Sequence, residues 1–176
     1  MAKALEVAAD DSYGLALLHL PIPHPPYFYD ADTDRNDFHS GRILENFKRQ
    51  NHEGYFHALA LVDKTIGSLR MAMEEAGVWN STTVIFSSDH SFRHRQAMDG
   101  KAIARTVPFL VKTSGRPEPM RYDQQFSTVL TQQLILALLG GEISRSGEIA
   151  KWLDTHRADY PVGNDDAHTQ RLRGNQ

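Results

Sequence analysis

The stretch Thr82-Thr83-Val84-Ile85-Phe86-Ser87 is β-branched and aromatic, follows the turn-forming residues Gly77-Val78-Trp79-Asn80, and runs directly into Ser88-Asp89-His90. Side chains of this kind pack well on a pleated, half-buried surface and lose rotamer freedom in a helix. A strand is therefore expected over residues 82–87, and its C-terminal end delivers a carboxylate and an imidazole side by side. Upstream, Tyr55, Leu59, Val62, Ile66, Leu69 and Met73 follow one another at steps of four and three. That spacing draws one apolar stripe on a helix over residues 54–76, stopped by Gly77.

The rest of the chain fits around this helix–turn–strand unit. Tyr13-Gly14-Leu15-Ala16-Leu17-Leu18-His19-Leu20-Pro21 is a short apolar run ended by proline, the pattern of a strand buried on both faces of a parallel sheet. Residues 21–37 hold Pro21, Pro23, Pro25 and Pro26 among aromatics and aspartates, so an irregular surface loop is expected. Val107-Pro108-Phe109-Leu110-Val111 reads as a second strand, with Pro108 arguing for the sheet edge or the strand start. Helices are expected over 126–139, with a Gly140-Gly141 stop, and over 144–155. Strands alternating with helices define an α/β class, a mostly parallel sheet with flanking helices, in which sites gather at the C-terminal ends of strands.

Composition narrows the function. A chain of 176 residues, 40% hydrophobic and 23% charged, is long enough for one globular core. One domain over 1–160 is expected, followed by a polar tail over 161–176. With 19 Lys+Arg against 22 Asp+Glu, no field exists to draw in nucleic acid through its phosphates. The absence of cysteine excludes a thiolate nucleophile, a cysteine zinc site and any disulfide, and leaves the redox compartment open. The longest apolar run, Leu134 to Leu139, is far short of the roughly 18 residues that span a bilayer. The N-terminus carries acids where a secretory peptide has its apolar stretch, so it reads as the interior of a longer protein.

Two polar clusters stand at expected strand ends. Asp89 and His90 offer a hard oxygen and an imidazole nitrogen where the backbone leaves the sheet, and both can reach one metal ion; the plain alternative is that they cap the strand. His19 and His24 flank Leu20-Pro21-Ile22-Pro23, a stiff segment able to hold an imidazole at little ordering cost. As metal or substrate contacts they compete with a hydrogen-bonded His19 at a strand terminus and a solvated His24. Arg93, His94 and Arg95 follow the Asp-His pair and could neutralise an anion or simply solvate a loop. Lys101 is a further cation on the same face. His39, His52, His57, His156 and His168 read as surface or helix-face residues, and Asp10 and Asp11 as solvated.

Together these pieces resemble the C-terminal part of the sulfatase-like branch of the alkaline phosphatase superfamily. Tyr55 with Val62-Asp63-Lys64-Thr65-Ile66-Gly67 is similar to the family's "vD..iG" helix, and Thr82 to His90 to its "T.vi..SDHG" strand. His19-Leu20-Pro21-Ile22-Pro23-His24-Pro25-Pro26 is similar to "H.P.PH.P", and Arg105 to Val111 to the "R.P.i" strand. The resemblance covers residues 13–139 and implies a partial alkaline-phosphatase-like sandwich. It implies Asp89 and His90 as ligands of a divalent metal ion (Zn, Mn, Mg or Ca), and His24, His19 and Lys101 as contacts to a phosphate, phosphonate or sulfate group. Asp-His in place of Asp-Asn or Asp-Gln leans toward phosphoryl-transfer relatives. The family's nucleophile and acidic ligands lie upstream of anything resembling His19, and no segment of that kind is read in this chain. Ser91 stands where the family usually has Gly.

The resemblance thus implies a metal-dependent hydrolase or transferase of sulfate or phosphate esters, incomplete as this chain, acting on a small-molecule or lipid-linked ester. In the intact relative it implies a location outside the cytoplasm or at a membrane. The rival reading is an inactive α/β module for binding or assembly, self-associating through an uncovered sheet edge.

Overall fold

The apolar stripe of residues 55–73 does form a helix, and its exit shows how local chemistry ends it. In the computed structural model, which describes residues 1–36, 52–92, 106–115 and 118–160, this helix, α2, runs His52–Glu75. Gly77 takes a positive φ of 75°, its N–H donates to Glu74 O, and the Val78 N–H donates to Met73 O. This is a Schellman stop, and its two hydrophobic positions, Met73 and Val78, are both buried. Before α2 come a short helix α1 (Ala2–Ala8) and a hairpin of β1 (Tyr29–Asp30) and β2 (Arg35–Asn36). After it come β3 (Val84–Ser87), β4 (Phe109–Lys112), α3 (Thr131–Leu139) and α4 (Ser146–His156).

The chain divides into two compact units, Met1–Ser81 with Phe86–Phe109, and Thr82–Ile85 with Leu110–Gln176. In the first, α1 and β1 pack against α2. The buried face of α2 is centred on Ala58, Thr65 and Met73, while Leu59 and Ile66 stand at its exposed edges. Small residues at 58 and 65 let neighbours approach closely, which a reading of large side chains alone overlooks. α1 was not expected; its Ala-rich, helix-favouring composition carries the signal.

In the second unit the core is drawn from its own helices. Leu130 and Leu134 are 0% exposed, joined by Ala137, Ile143, Ile149 and Leu153. Full burial of each leucine contributes about 1.5–3 kcal/mol. The Gly140-Gly141 stop forms as expected: Gly141 has φ 75°, and Glu142 N–H donates to Ala137 O. Glu148 holds the entry of α4, accepting the Ser144 N–H at 2.8 Å and the Arg145 N–H at 3.0 Å on one carboxylate oxygen. These two bonds hold its carboxyl below the ordinary glutamate range. Among the described residues no helix is long and apolar enough to cross a membrane.

The α/β character holds, but the expected mostly parallel sheet does not form among the described residues. Both sheets are two-stranded. β1 and β2 are antiparallel, with Tyr29 opposite Asn36. β3 and β4 also run antiparallel: Ser87 donates to Pro108 O, while at the other end Lys112 donates to Thr82 O and Ser114 N–H to the Thr83 hydroxyl. The strand expected over residues 13–21 is absent. That segment forms no regular element, with Leu15 60% and Leu17 91% exposed. A strand buried on both faces needs flanking strands for its N–H and C=O groups, and no described segment supplies them. Within the expected loop, Asp34 at φ 53° turns the β1–β2 hairpin, a conformation aspartate tolerates.

Candidate functional site

β3 ends at Ser87, and the chain turns at once through Ser88, Asp89 and His90. Ser88 steadies this turn by donating from Oγ to His90 O at 2.9 Å. The His90 Nδ1 lies 2.8 Å from Ser91 O. A carbonyl can only accept, so Nδ1 carries the hydrogen, and the neutral ring presents Nε2 as its lone pair. That Nε2 stands 4.0 Å from Asp89 Oδ1, and both side chains are exposed. A ring nitrogen tied to a backbone carbonyl, with the other nitrogen free, is the usual preparation of a metal-ligating histidine. A separation of 4.0 Å also lies within twice a metal–ligand distance of about 2.0–2.2 Å, so the donor set fits a divalent ion.

His24 is prepared in the same way. Its Nδ1 donates to Pro25 O at 2.6 Å, leaving Nε2 free on an exposed ring. His19 is exposed on the irregular segment 13–21. Neither His19 nor His24 joins Asp89 and His90 in a group of ligand atoms within 4.8 Å. Lys101 lies outside the described residues, as do Arg93, His94, Arg95, Arg105 and the tail 161–176.

What joins the two segments is aromatic. The Tyr55 ring, in the first turn of α2, stacks on Phe92 with centroids 4.0 Å apart and planes at 24°. It meets Tyr27 edge-on at 6.2 Å and 64°. Tyr27, three residues past His24, is 7% exposed; Phe92 lies two residues past His90. Burial raises the phenol pKa values of Tyr27 and Tyr55. Sequence reasoning missed this role of the aromatics, although Tyr27 stands three residues past His24 and Phe92 two past His90.

Among the described residues one trio does bring metal-capable atoms within 4.8 Å: Asp30, Asp32 and His57. Two of its three residues already have hydrogen-bond partners. His57 Nδ1 accepts the Ala31 N–H at 2.7 Å, and Asp30 Oδ1 accepts the N–H groups of Asp32 at 2.9 Å and Thr33 at 3.4 Å. The Thr33 side chain, with these backbone donors, lowers the Asp30 pKa. This is a clamp of the hairpin onto α2, and it gives His57, expected as a surface or helix-face residue, an organised partner. Two turns further along the same helix, Lys64 donates to Asp34, which also accepts from Tyr29 OH at 2.8 Å. The Lys64 hydrogen bond, then that of Tyr29, lowers the Asp34 pKa.

The second unit has a groove of about 580 Å³ between α3 and α4, with Gln133, Glu142, Trp152, His156, Asp159 and Tyr160 on its walls. Its described lining contains no Lys or Arg. Two carboxylates without a Lys or Arg beside them disfavour a sulfate or phosphate group in this groove.

The chain is similar to known sulfatases. The chain is 26% identical over 117 residues to iduronate 2-sulfatase of Mus musculus, an alignment covering 58% of this chain and 21% of the relative. It is 26% identical over 137 residues to an endo-4-O-sulfatase of Bacteroides thetaiotaomicron, covering 67% of this chain and 27% of the relative. It is 30% identical over 128 residues to an ulvan-active sulfatase of Formosa agariphila, covering 61% of this chain and 24% of the relative. The chain thus spans 21% to 27% of the length of these curated relatives. No solved structure matches it. The Sulfatase family model matches residues 1–140, taking in both histidine-bearing turns, α2 and β3, and on that match the chain belongs to the Sulfatase family.

Proposed function

We propose that this chain contributes metal and substrate contacts to the hydrolysis of a sulfate ester, within an alkaline-phosphatase-like α/β domain portion over 1–160. The observation that carries the reading is the preparation of His90: Nδ1 bound to Ser91 O at 2.8 Å, Nε2 free beside the Asp89 carboxylate. Asp89 supplies a charged oxygen and His90 a neutral nitrogen, a mixed set that Zn, Mn, Mg or Ca accepts to different degrees. When bound, a divalent ion polarises the ester oxygens and stabilises the charge developing on them.

The chain's own residues have separate tasks. Ser91 O keeps the hydrogen of His90 on Nδ1, and Ser88 keeps the turn closed. His24, with Nδ1 engaged, offers Nε2 to the substrate, and His19 and Lys101 are further contacts in this reading. A protonated His24 Nε2 donates a charge-assisted hydrogen bond to an ester oxygen. Sulfate is favoured over phosphate by the names of the three relatives, all sulfatases, against the lean toward phosphoryl transfer that Asp-His gives by itself. No nucleophile is assigned within these residues, so turnover by the chain alone is low in this reading, and two protein donors make its ion binding weak.

The test is titration of the chain with Mn²⁺ followed by electron paramagnetic resonance, together with hydrolysis of aryl sulfate, aryl phosphate and phosphodiester. Asp89→Ala and His90→Ala are each expected to weaken Mn²⁺ binding at least tenfold. Binding indifferent to both would sink the assignment. The alternative, an inactive assembly module, is favoured by one observation: Tyr13, Leu15 and Leu17 are exposed along a segment that forms no regular element. A concentration-dependent dimer dispersed by Leu17→Asp, with no Mn²⁺ response, would support it.

A further inference from the structure

We infer that Tyr55 is a positioning residue that fixes the tautomer of His90 and holds the His24 turn and the Asp89-His90 turn to one end of α2; this rests on the metal reading proposed above. The connection runs through named contacts. Tyr55 stacks on Phe92 at 4.0 Å. Phe92 is bonded to Ser91, whose carbonyl receives the His90 Nδ1–H at 2.8 Å. A stacked Phe92 therefore limits where the Ser91 carbonyl can go, and that carbonyl decides which nitrogen of His90 stays free. On its other side Tyr55 meets the edge of Tyr27 at 6.2 Å, three residues past His24.

The fit around Tyr27 is close on more than one side. A Cβ on Gly54 would lie 2.9 Å from Tyr27 Cδ2, closer than carbon atoms tolerate, and a tight 3.1 Å from its Cβ. The absence of a side chain at 54 is thus what lets Tyr27 sit against the start of α2, with Tyr55 next in the chain. Offset stacking and edge-to-face contact are the two arrangements that the charge distribution of an aromatic ring prefers, and Tyr55 makes one of each. A rigid ring with two rotatable bonds holds both turns at small entropic cost.

The experiment uses the full chain with ¹⁵N-labelled histidine, at a pH where imidazoles are neutral, reading the His90 tautomer by NMR and Mn²⁺ affinity by electron paramagnetic resonance. The wild type is expected to show His90 with the hydrogen on Nδ1. Tyr55→Leu is expected to shift it toward the Nε2–H form that free imidazole favours in water and to weaken Mn²⁺ binding about three- to tenfold. Tyr55→Phe, which keeps the ring, is expected to preserve both. A folded Tyr55→Leu variant with the wild-type tautomer would overturn the inference. If that variant does not fold, Phe92→Leu removes the same stack and must produce the same shift; an unchanged tautomer there overturns it equally. Should wild type and Asp89→Ala bind Mn²⁺ alike, the metal reading fails, while the tautomer shift still decides the role of Tyr55.

Discussion

The two compact units differ in how their apolar residues are used. In the second, Leu130 and Leu134 are wholly inside, and both helix ends around them are closed by their own neighbours. In the first, the most hydrophobic segment, residues 13–20, leaves Leu15 and Leu17 in solvent, and order near the candidate site comes from Tyr27, Tyr55 and Phe92. A helix satisfies its own backbone and needs only one covered face, whereas a central strand needs neighbours on both edges and both faces. Among the described residues, the second unit thus buries its leucines within its own helices, while the first leaves Leu15 and Leu17 exposed.

One leucine from each unit gives the largest test of that contrast. Leu134→Ala is expected to cost about 2–5 kcal/mol through a buried cavity, and Leu17→Ala less than about 0.5 kcal/mol. Each unit holds one of the two tryptophans, Trp79 in the first and Trp152 in the second. Urea unfolding in Trp79→Phe and Trp152→Phe backgrounds therefore reports the units separately. Equal costs for the two leucines would collapse the comparison.

Gly54→Ala sharpens the view of the first unit. Overpacking against Tyr27 costs about 1–3 kcal/mol, partly offset by about 1 kcal/mol of helix propensity. The net expectation is a lower midpoint for Trp79 unfolding, and a gain in stability would show that the Tyr27 packing is loose.

Acid should act on the second unit through Glu148. Its folded pKa is depressed, chiefly by the Ser144 N–H and then the Arg145 N–H. Its stabilisation is therefore complete above the ordinary glutamate pKa of about 4.3 and disappears as pH falls through the lower folded value. Glu148→Gln is expected to remove that pH dependence and to lower the helical circular dichroism of α4 modestly at neutral pH. An acid response identical in wild type and variant would reassign it to other carboxylates.

The smallest effect is expected at the exposed pair of Lys64 and Asp34. Lys64→Met should shift the Trp79 midpoint slightly in dilute buffer and not at all in 1 M salt, because exposed pairs are screened. A loss that persisted in salt would show that the hairpin clamp depends on this pair.

Much of the fold was legible where the information is local. The stripe from Tyr55 to Met73, Gly77 and Gly140-Gly141 as stops, and the β-branched run before Asp89 all formed close to their expected positions. The Asp89-His90 turn was legible for the same reason, since a strand end and two adjacent donors are properties of a few consecutive residues. The parallel sheet was not, because pairing direction depends on partners distant in sequence. The partner of His57 was not legible, because Ala31 lies 26 residues away on a hairpin with no strong strand signal.

By itself, then, the sequence determined which segments coil and where they stop. Periodicity, capping and side-chain chemistry act over one or two turns of chain. Only the tertiary structure decided which nitrogen of His90 is free, that Tyr27 and Phe92 meet on Tyr55, and that Leu17 stays in water. The meeting of Tyr27, Tyr55 and Phe92 depends on side chains far apart along the chain, and the His90 tautomer on the direction of the adjacent Ser91 carbonyl, which no sequence pattern sets.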